Sequence, residues 1–197
     1  GSFTAAGGAS ANGVAKWDGT TWTSLGTGAG GSSPYVAALE VFDDGSGLGL
    51  YAGGSFSTAG GISADRIAKW DGTSWSPLGS GMNFSVFSLR VFDDGAGPAL
   101  YAGGEFTVAG GTSANHVAKW NGVTWSALAT GLSRPAANVD VLQVFDDGSG
   151  SALYAGGFFS TAGGIFGVNC IAKWNGASWS ALGNGITSPF TVSVYAL

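Results

Sequence analysis

Lysine, histidine and cysteine are the side chains of this sequence that most directly suggest chemistry. The lysines occupy one position of a repeated block, Ala-Lys-Trp-Asp/Asn-Gly-x-x-Trp, at Lys16, Lys69, Lys119 and Lys173. An amine that recurs in this way is typical of a structural role, in which its stem covers tryptophan surface and its head pairs with a carboxylate or carbonyl. His116 and Cys170 are the only residues of their types, so a histidine-based metal cluster cannot form and a Cys/His dyad would need two different repeats to meet.

Tryptophans and acidic turns are the other groups with possible chemistry. The eight tryptophans could stack on sugar rings, but their regular pairing around an Asp-Gly or Asn-Gly step favours cross-strand packing. Asp-Asp-Gly-x-Gly segments begin at Asp43, Asp93 and Asp146. They could hold calcium, yet they lack the alternating aspartates of calcium loops and therefore indicate plain turns. Adjacent aspartates also do not suit the acid and base of a glycosidase. We predict no catalytic residue, metal or cofactor, and hence no enzyme.

Composition excludes several classes of protein. The chain has 197 residues, 45% of them apolar and 10% charged, which is long and apolar enough to bury a core. Its net charge is −5 and it has no basic cluster, so we expect no attachment to nucleic acid. No apolar run approaches the roughly 20 residues of a spanning helix, which predicts no membrane insertion.

The repeated block lies in a longer unit, which makes the chain a single repeat domain of residues 1–197. Its units are 1–53, 54–103, 104–156 and 157–197. Such units bury their apolar faces only by stacking on their neighbours. The last unit is incomplete and the chain is circularly permuted relative to the units. We therefore expect either a longer array or completion of the partial unit by another chain.

Four strands are predicted in each unit. The first is an apolar stretch, at 35–42, 86–92, 139–145 and 191–197, and it leads into the Asp-Asp-Gly turn. The second is Leu-Tyr-Ala-Gly-Gly-Ser-Phe (50–56) and its copies, and the third is 67–70 and its copies. An Asp-Gly or Asn-Gly step then predicts a two-residue type I′ hairpin. In the fourth strand (74–78), Pro77 cannot donate to a ladder, which predicts an edge position.

Four strands in a unit of about fifty residues predict an all-β propeller of about four antiparallel blades, with a β-solenoid-like stack as the alternative. The order of Leu-Tyr-Ala-Gly-Gly, Lys-Trp-Asp-Gly and Trp-Ser-Pro-Leu resembles the kelch and galactose-oxidase type of repeat. More closely, it is similar to the repeats of fungal cortical cell-polarity markers and of bacterial surface or secreted repeat proteins. The resemblance covers the whole chain and implies partner binding rather than catalysis, since the copper ligands of galactose oxidase are lacking.

Differences among the units suggest where a ligand binds. If strands alternate in direction, the connections between units (27–35, 80–84, 130–138 and 184–190) share one face with the loops between the second and third strands. Variable loops on a rigid scaffold commonly carry recognition, although relaxed drift of the loops explains the variation equally well. The candidate ligand-binding residues are Tyr35, Arg66, Asn83, Phe84, His116, Arg134, Asn138, Phe166 and Asn169. Three polar residues at equivalent positions of the first strand are expected to face an axial channel: Glu40, Arg90 and Gln143.

These features predict a non-enzymatic scaffold that recognises a protein or glycan. Asn83-Phe84-Ser85 matches the acceptor pattern for N-glycosylation, which favours a location outside the cell or on its surface. The alternative is a structural or adhesive subunit of an extracellular fibre or coat, which self-associates through its chain ends.

Overall fold

The computed structural model describes residues 1–188 and 192–197. All the regular secondary structure within these residues is β-strand. The prediction of an all-β chain is therefore confirmed. Within the same residues there is no helix long and apolar enough to cross a membrane.

The strands recur in the same order from unit to unit. The N-terminal part contains β1 (Ala5–Ala6), β2 (Ala9–Ser10), β3 (Ala15–Trp17), β4 (Trp22–Ser24) and β5 (Ala29–Gly30). Next come β6 (Tyr35–Asp43), β7 (Leu48–Ser55), β8 (Thr58–Ala59), β9 (Ile62–Ser63), β10 (Ile67–Trp70) and β11 (Trp75–Pro77). They are followed by β12 (Val86–Asp93), β13 (Pro98–Gly104), β14 (Val108–Ala109), β15 (Thr112–Ser113), β16 (Val117–Trp120), β17 (Trp125–Ala127) and β18 (Leu132–Ser133). The last are β19 (Asn138–Asp146), β20 (Ser151–Phe158), β21 (Thr161–Ala162), β22 (Ile165–Phe166), β23 (Ile171–Trp174) and β24 (Trp179–Ala181).

Three four-stranded antiparallel sheets form the body of the chain. We call them the first sheet (β6-β7-β10-β11), the second sheet (β12-β13-β16-β17) and the third sheet (β19-β20-β23-β24). Each follows the predicted order of four strands. Pro77 lies in the outermost strand of the first sheet, where it pairs with Ala68, so the predicted edge position is confirmed. Ahead of these sheets, β3 and β4 form a two-stranded hairpin.

A β-bulge explains the Gly-Gly pair of the second strand. The register between β6 and β7 shifts between Val36 and Ala38, and the other two sheets have the same irregularity. A side chain at Gly54 would collide with the carbonyl oxygen of Tyr35, and a Cβ at Gly53 would lie 2.6 Å from Cγ1 of Val86 in the next sheet. Gly54 is therefore needed because the backbone of the paired strand approaches it closely, and Gly53 because a side chain of the next sheet does.

The predicted two-residue type I′ turns are wrong. Trp70 pairs with Trp75, so the loop contains four residues, and Gly72 has a positive φ whereas Asp71 does not. One carboxylate oxygen of Asp71 accepts hydrogen bonds from the amides of Thr73 and Ser74, at 2.7 and 2.8 Å. The side chain therefore organises the turn, and the left-handed conformation is needed only at the glycine.

Short hairpins between the second and third strands were not predicted. Between β7 and β10 of the first sheet, β8 pairs with β9, and β8 also pairs with β5 from the preceding connection, which makes a separate three-stranded sheet. β18, β21 and β22 repeat this arrangement, and a bridge between Met82 and Ala109 links the corresponding segments. The hairpins and the connections between units thus adjoin each other, as the alternation of strand direction predicts.

The predicted strand at 191–197 differs from the structure. Thr191, like residues 189 and 190 of the preceding connection, lies outside the described residues, and residues 192–197 are not assigned to a strand. The amide of Val194 does donate to the carbonyl of Gly157, at 3.3 Å. In each of the three sheets, the first strand is hydrogen-bonded to the second strand that follows it in the chain. Residues 192–197 have no such partner strand within the described residues.

The core runs between consecutive sheets. The Leu-Tyr-Ala-Gly-Gly strands are almost entirely buried, as expected for strands covered on both faces. Against Gly103 of the second sheet lie Val139 and Leu142 of the third, both fully buried. Each sheet thus completes its core on the first strand of the next, which makes the units interdependent.

Candidate functional site

The repeated lysine forms an ion pair with the Asp-Asp-Gly turn of its own sheet. Nζ of Lys69 lies 2.7 Å from Oδ1 of Asp44 and 2.8 Å from Oγ of Ser46. Lys119 with Asp94, and Lys173 with Asp147, repeat this pair. The predicted carboxylate partner is confirmed, but the ring beneath the amine is that of Tyr51, at 5.6 Å, and not the predicted tryptophan.

Burial and hydrogen bonding act against each other on the aspartate. Burial alone raises the pKa of Asp94, but hydrogen bonds from Lys119 and Tyr101 outweigh it and hold the pKa below its ordinary value. Burial, followed by the hydrogen bond to Asp94, raises the pKa of the Tyr101 hydroxyl. The cluster therefore holds an ionised carboxylate and a neutral phenol at pH 7, which suits a structural clamp on the turn.

Lys16 is the exception among the lysines. Its side chain is exposed, and among the residues that the structure describes it has no carboxylate partner. Unlike the corresponding strand in the three sheets, β3 is paired only with β4 among residues 1–188 and 192–197. The N-terminal unit thus presents a cation at a position where every other unit forms an ion pair.

The tryptophans join consecutive units. Trp70 and Trp75 contact each other across their hairpin with ring centroids 5.4 Å apart, as do the equivalent pairs. Nε1 of Trp75 also donates to the carbonyl oxygen of Leu25 in the preceding unit, at 2.8 Å. The prediction that the tryptophans serve packing is confirmed for these pairs, and the bond to the preceding unit is an addition that the sequence did not indicate.

The variable loops lie together on one side, which we call the hairpin face. It consists of β1, β2, β5, β8, β9, β14, β15, β18, β21 and β22 with the connections between units. Phe84 and Phe166 are exposed there, with 56% and 85% of their surface accessible. Arg134 places its guanidinium carbon 3.7 Å from the centroid of the Phe158 ring, an arrangement that stacks a cation on an aromatic face.

Several candidate binding residues hold the hairpin face together. Oδ1 of Asn83 accepts from the amides of Thr107 and Val108, at 2.9 and 3.0 Å. Asn138 accepts from the amide of Phe158 at 3.0 Å, and Asn169 donates to the carbonyl of Asn184 at 2.8 Å. Asn83 and Asn169 thus connect loops of neighbouring segments, whereas Asn138 bonds to its cross-strand partner at the end of the β19–β20 pair.

Arg66, His116 and Cys170 share one position just before the third strand. All three have a positive φ, of 63°, 66° and 68°, which is uncommon for residues with a side chain. Arg66 donates to the carbonyl of Met82 at 3.1 Å. The imidazole of His116 is buried, its Nδ1 has no hydrogen-bond partner within the described residues, and burial lowers its pKa. Cys170 is also buried.

Among the candidate channel residues, the structure brings two together. Nη1 of Arg90 lies 3.9 Å from Oε2 of Glu40, and Nε of Arg90 donates to the carbonyl of Leu142 at 3.4 Å. Gln143 instead borders a separate cavity of about 260 Å³ with Phe145 and Leu197. Half-buried Tyr35, the remaining candidate, begins β6 and borders a cavity of about 580 Å³ with Phe3 and Asn12. The part of the chain that the structure describes contains no group of three or more His, Cys, Asp or Glu residues able to hold a metal ion.

No family model, curated protein or solved structure matches this chain. Its likeness to kelch-type repeats therefore remains an interpretation of its motifs.

Proposed function

We propose that this chain is a non-enzymatic, propeller-type repeat scaffold that recognises a protein or glycan outside the cell or on its surface. The observation that carries the proposal is the construction of the hairpin face. Loops of this face are hydrogen-bonded to loops of the next unit, because β5 pairs with β8 and β18 pairs with β21. Unit-specific side chains are thus displayed on a connected frame, as in binding proteins whose loops vary on a constant scaffold.

The propeller architecture is part of this proposal. Two arrangements favour it. The first strands of the three sheets (β6, β12 and β19) lie next to one another, with β12 between the other two. The fourth strands (β11, β17 and β24) are outermost in their sheets. About four such units around an axis, with Glu40 and Arg90 on the inner side, fit this order of strands.

Exposed aromatic rings on the hairpin face define the experiment. The purified chain is tested on a glycan array and against immobilised extracellular-matrix proteins, and any binding is then compared among variants. We expect Phe166→Ala or Phe84→Ala to weaken binding by about tenfold or more. Val123→Ala is the matched control, because Val123 is also exposed but lies in a turn between third and fourth strands. Binding that Val123→Ala weakens as much as Phe166→Ala would contradict the hairpin face as the site.

A second function, that of a structural subunit, is favoured by one observation. The indole of Trp22 is 44% exposed, although its counterparts Trp75, Trp125 and Trp179 are buried and bonded to the preceding unit. At the other end, Leu182 is only half-buried, whereas its counterparts Leu25, Leu78 and Leu128 are buried. If these ends meet between chains, light scattering should show mass rising with concentration, and Trp22→Ala should abolish the rise. A monomer at all concentrations would exclude this function for the 197-residue chain.

A further inference from the structure

The β-bulge of the third sheet carries a carboxylate where the other two sheets carry apolar residues. The register of β19 with β20 shifts between Val139 and Val141, so Asp140 has no cross-strand partner. The residues at this position of the first and second sheets are Ala37 and Phe87. Asp140 is half-buried, and among the described residues no lysine or arginine forms an ion pair with it. Bulges redirect side chains and are frequent beside functional sites, and the surroundings of Asp140 have the features of such a site.

Two polar side chains from consecutive units hold the Asp140 carboxylate. Nδ2 of Asn138 donates to its Oδ1 at 2.8 Å, and Oγ of Ser193 donates to its Oδ2. When ionised, the carboxylate only accepts, so Ser193 directs its proton at Asp140 and keeps its lone pairs as acceptors. Oδ1 of Asn138 accepts from the amide of Phe158, which leaves the second N–H of Asn138 as a donor. Asp140 thus fixes the direction of one donor and one acceptor.

Asn138 and Ser193 both line a cavity at the edge of the hairpin face, which we call the rim cavity. Its volume is about 400 Å³, and its other lining residues are Ala136, Phe158, Val192 and Tyr195. Ala136 belongs to the connection between the second and third sheets, which is part of the hairpin face. Cavities for small ligands begin at about 300 Å³. The oriented donor and acceptor therefore border a space of ligand size.

Aromatic rings border the rim cavity beside these polar groups. The guanidinium of Arg134 lies 3.7 Å from the centroid of the Phe158 ring, so one face of this ring is already covered. Tyr195 has 77% of its surface accessible. An accessible aromatic ring next to oriented polar groups suits a ligand that has an apolar face and a hydroxylated edge.

The wall of the rim cavity that follows the third sheet in the chain is fixed by contacts with that sheet. The amide of Val194 donates to the carbonyl of Gly157 at 3.3 Å, and Sγ of Cys170 donates to the carbonyl of Val192 at 3.3 Å. Val194 also packs closely on the sheet, since a Cβ at Gly156 would lie 2.8 Å from its Cγ1. These contacts position the wall through described residues alone.

The equivalent place between the second sheet and β19 lacks the aromatic wall. There Ser85 and Glu105, whose amide donates to the carbonyl of Ser85 at 3.0 Å, take the positions of Asn138 and Phe158. An acidic side chain thus stands where the rim cavity has a ring. The combination of groups in the rim cavity belongs to one unit boundary, which is expected of a binding site and not of a requirement of the fold.

The chemistry of the rim cavity matches a sugar better than an ion or a peptide. Neighbouring hydroxyls of a sugar each donate and accept, as the second N–H of Asn138 and the oxygen of Ser193 require. An anion would meet the carboxylate of Asp140, and a cation would find one carboxylate that is already bonded to two partners. A peptide would need apolar pockets for its side chains, whereas oriented polar groups border this cavity.

We propose that the rim cavity binds one pyranose ring of a neutral glycan. Asn138 donates to one hydroxyl, Ser193 accepts from the adjacent hydroxyl, and Tyr195 packs on the C–H face of the sugar. Asp140 is a positioning residue that orients Asn138 and Ser193 without touching the sugar. This proposal rests on the proposed function, in which the partner is a protein or a glycan, and it commits to the glycan and to its place.

A nuclear magnetic resonance titration of the isotope-labelled 197-residue chain tests the site. Methyl glycosides of glucose, galactose, mannose, fucose, xylose and N-acetylglucosamine are added singly to about 50 mM, because one ring with few contacts binds in the millimolar range. At least one glycoside should produce saturable shifts of the Asn138 side-chain amide and of the backbone amides of Ser193 and Tyr195. The proposal is overturned if no glycoside produces such shifts.

Variants of exposed aromatic residues locate the sugar. Tyr195→Ala should weaken binding of the best glycoside by about fivefold, and Tyr195→Phe should retain binding because it keeps the ring. Phe166→Ala is the matched control, since Phe166 is exposed on the hairpin face but does not line the rim cavity; it should leave glycoside binding unchanged. Unchanged affinity in a folded Tyr195→Ala protein overturns the proposal.

The same variants separate this proposal from the proposed function. Glycoside binding that Phe166→Ala weakens and Tyr195→Ala does not would overturn the rim cavity as the site and leave the proposed function standing. A chain that binds matrix proteins but no glycoside would have the same meaning. A chain that binds neither would contradict both.

The positioning role of Asp140 has its own test. Ser193→Ala removes the acceptor and should weaken glycoside binding by about threefold. Asp140→Asn should weaken it similarly, because an amide no longer dictates the direction of the Ser193 proton. The double variant should lose less than the product of the two separate factors, since part of the Asp140 effect passes through Ser193. Fully multiplicative losses in folded proteins would overturn the proposed orientation of the sugar.

Discussion

Nε1 of Trp125 donates a hydrogen bond to the carbonyl oxygen of Leu78 across the boundary between two sheets, at 3.2 Å. The same bond joins Trp179 to Leu128 and Trp75 to Leu25. Because both groups are buried, each boundary combines apolar contact with a bond that fixes the position of one sheet on the next. In repeat proteins, such nearest-neighbour contacts add to the intrinsic stability of each repeat.

Replacing this tryptophan should therefore loosen one boundary. Trp125→Phe keeps an aromatic ring but leaves the carbonyl of Leu78 without its donor, which should lower the free energy of unfolding by about 1–2 kcal/mol. Trp22→Phe is the matched control, because Trp22 has the same place in its hairpin but is exposed; it should change stability by less than about 0.5 kcal/mol. Urea unfolding followed by circular dichroism measures both. Equal losses would indicate that the bond between sheets contributes nothing.

The lysine clamp should show the same contrast between units. Lys119→Met leaves the half-buried carboxylate of Asp94 without its cation, which should cost about 2 kcal/mol of unfolding free energy. Lys16→Met alters the equivalent position of a unit in which no carboxylate pairs with the amine within the described residues, and should be nearly neutral. The difference between the two variants in thermal unfolding is the quantity to measure. If both are neutral, the clamp is not a source of stability.

The pKa directions in this clamp predict where stability is lost with pH. The pKa of Asp94 is lowered in the folded chain, so its contribution is present above the unfolded value of about 3.9 and is lost as the pH falls through the folded value. The pKa of Tyr101 is raised, so its contribution is present below about 10 and is lost at higher pH. These two groups therefore contribute no slope between these limits, although the lowered pKa of His116 should make thermal midpoints fall below about pH 6.5. Tyr101→Phe should reduce the alkaline decline. An unchanged decline would exclude Tyr101 as its cause.

Local patterns predicted the parts of this fold that depend on local residues. The repeat spacing and the apolar runs indicated the first three strands of each sheet, and Pro77 indicated that the fourth strand lies at the sheet edge. These signals could be read because each one depends only on residues of the strand that it predicts. The turn after Trp70 was predicted wrongly, since Asp-Gly is compatible both with a type I′ turn and with a loop organised by the carboxylate of Asp71. Two-residue strands such as β8 are too short to produce a periodic signal.

Contacts between units could not be read from any single unit. Trp125 meets Leu78 across 47 positions of the chain, and nothing in either segment marks the partner. His116 was predicted on a variable loop, yet it is buried, next to Asn115, whose carbonyl accepts a hydrogen bond from the amide of Leu132 in the next connection.

Glycine at the boundary between sheets leads to a last prediction. A Cβ at Gly103 would lie 2.6 Å from Cγ1 of Val139, and both residues are buried. Gly103→Ala should therefore reduce the free energy of unfolding by about 1–3 kcal/mol through overpacking. Val139→Ala removes the methyl group that the new side chain meets, so the two substitutions together should cost at least about 1 kcal/mol less than the sum of their separate effects. Urea unfolding of the four proteins measures this coupling, and additive losses would mean that the close approach of Val139 is not what requires a glycine at position 103.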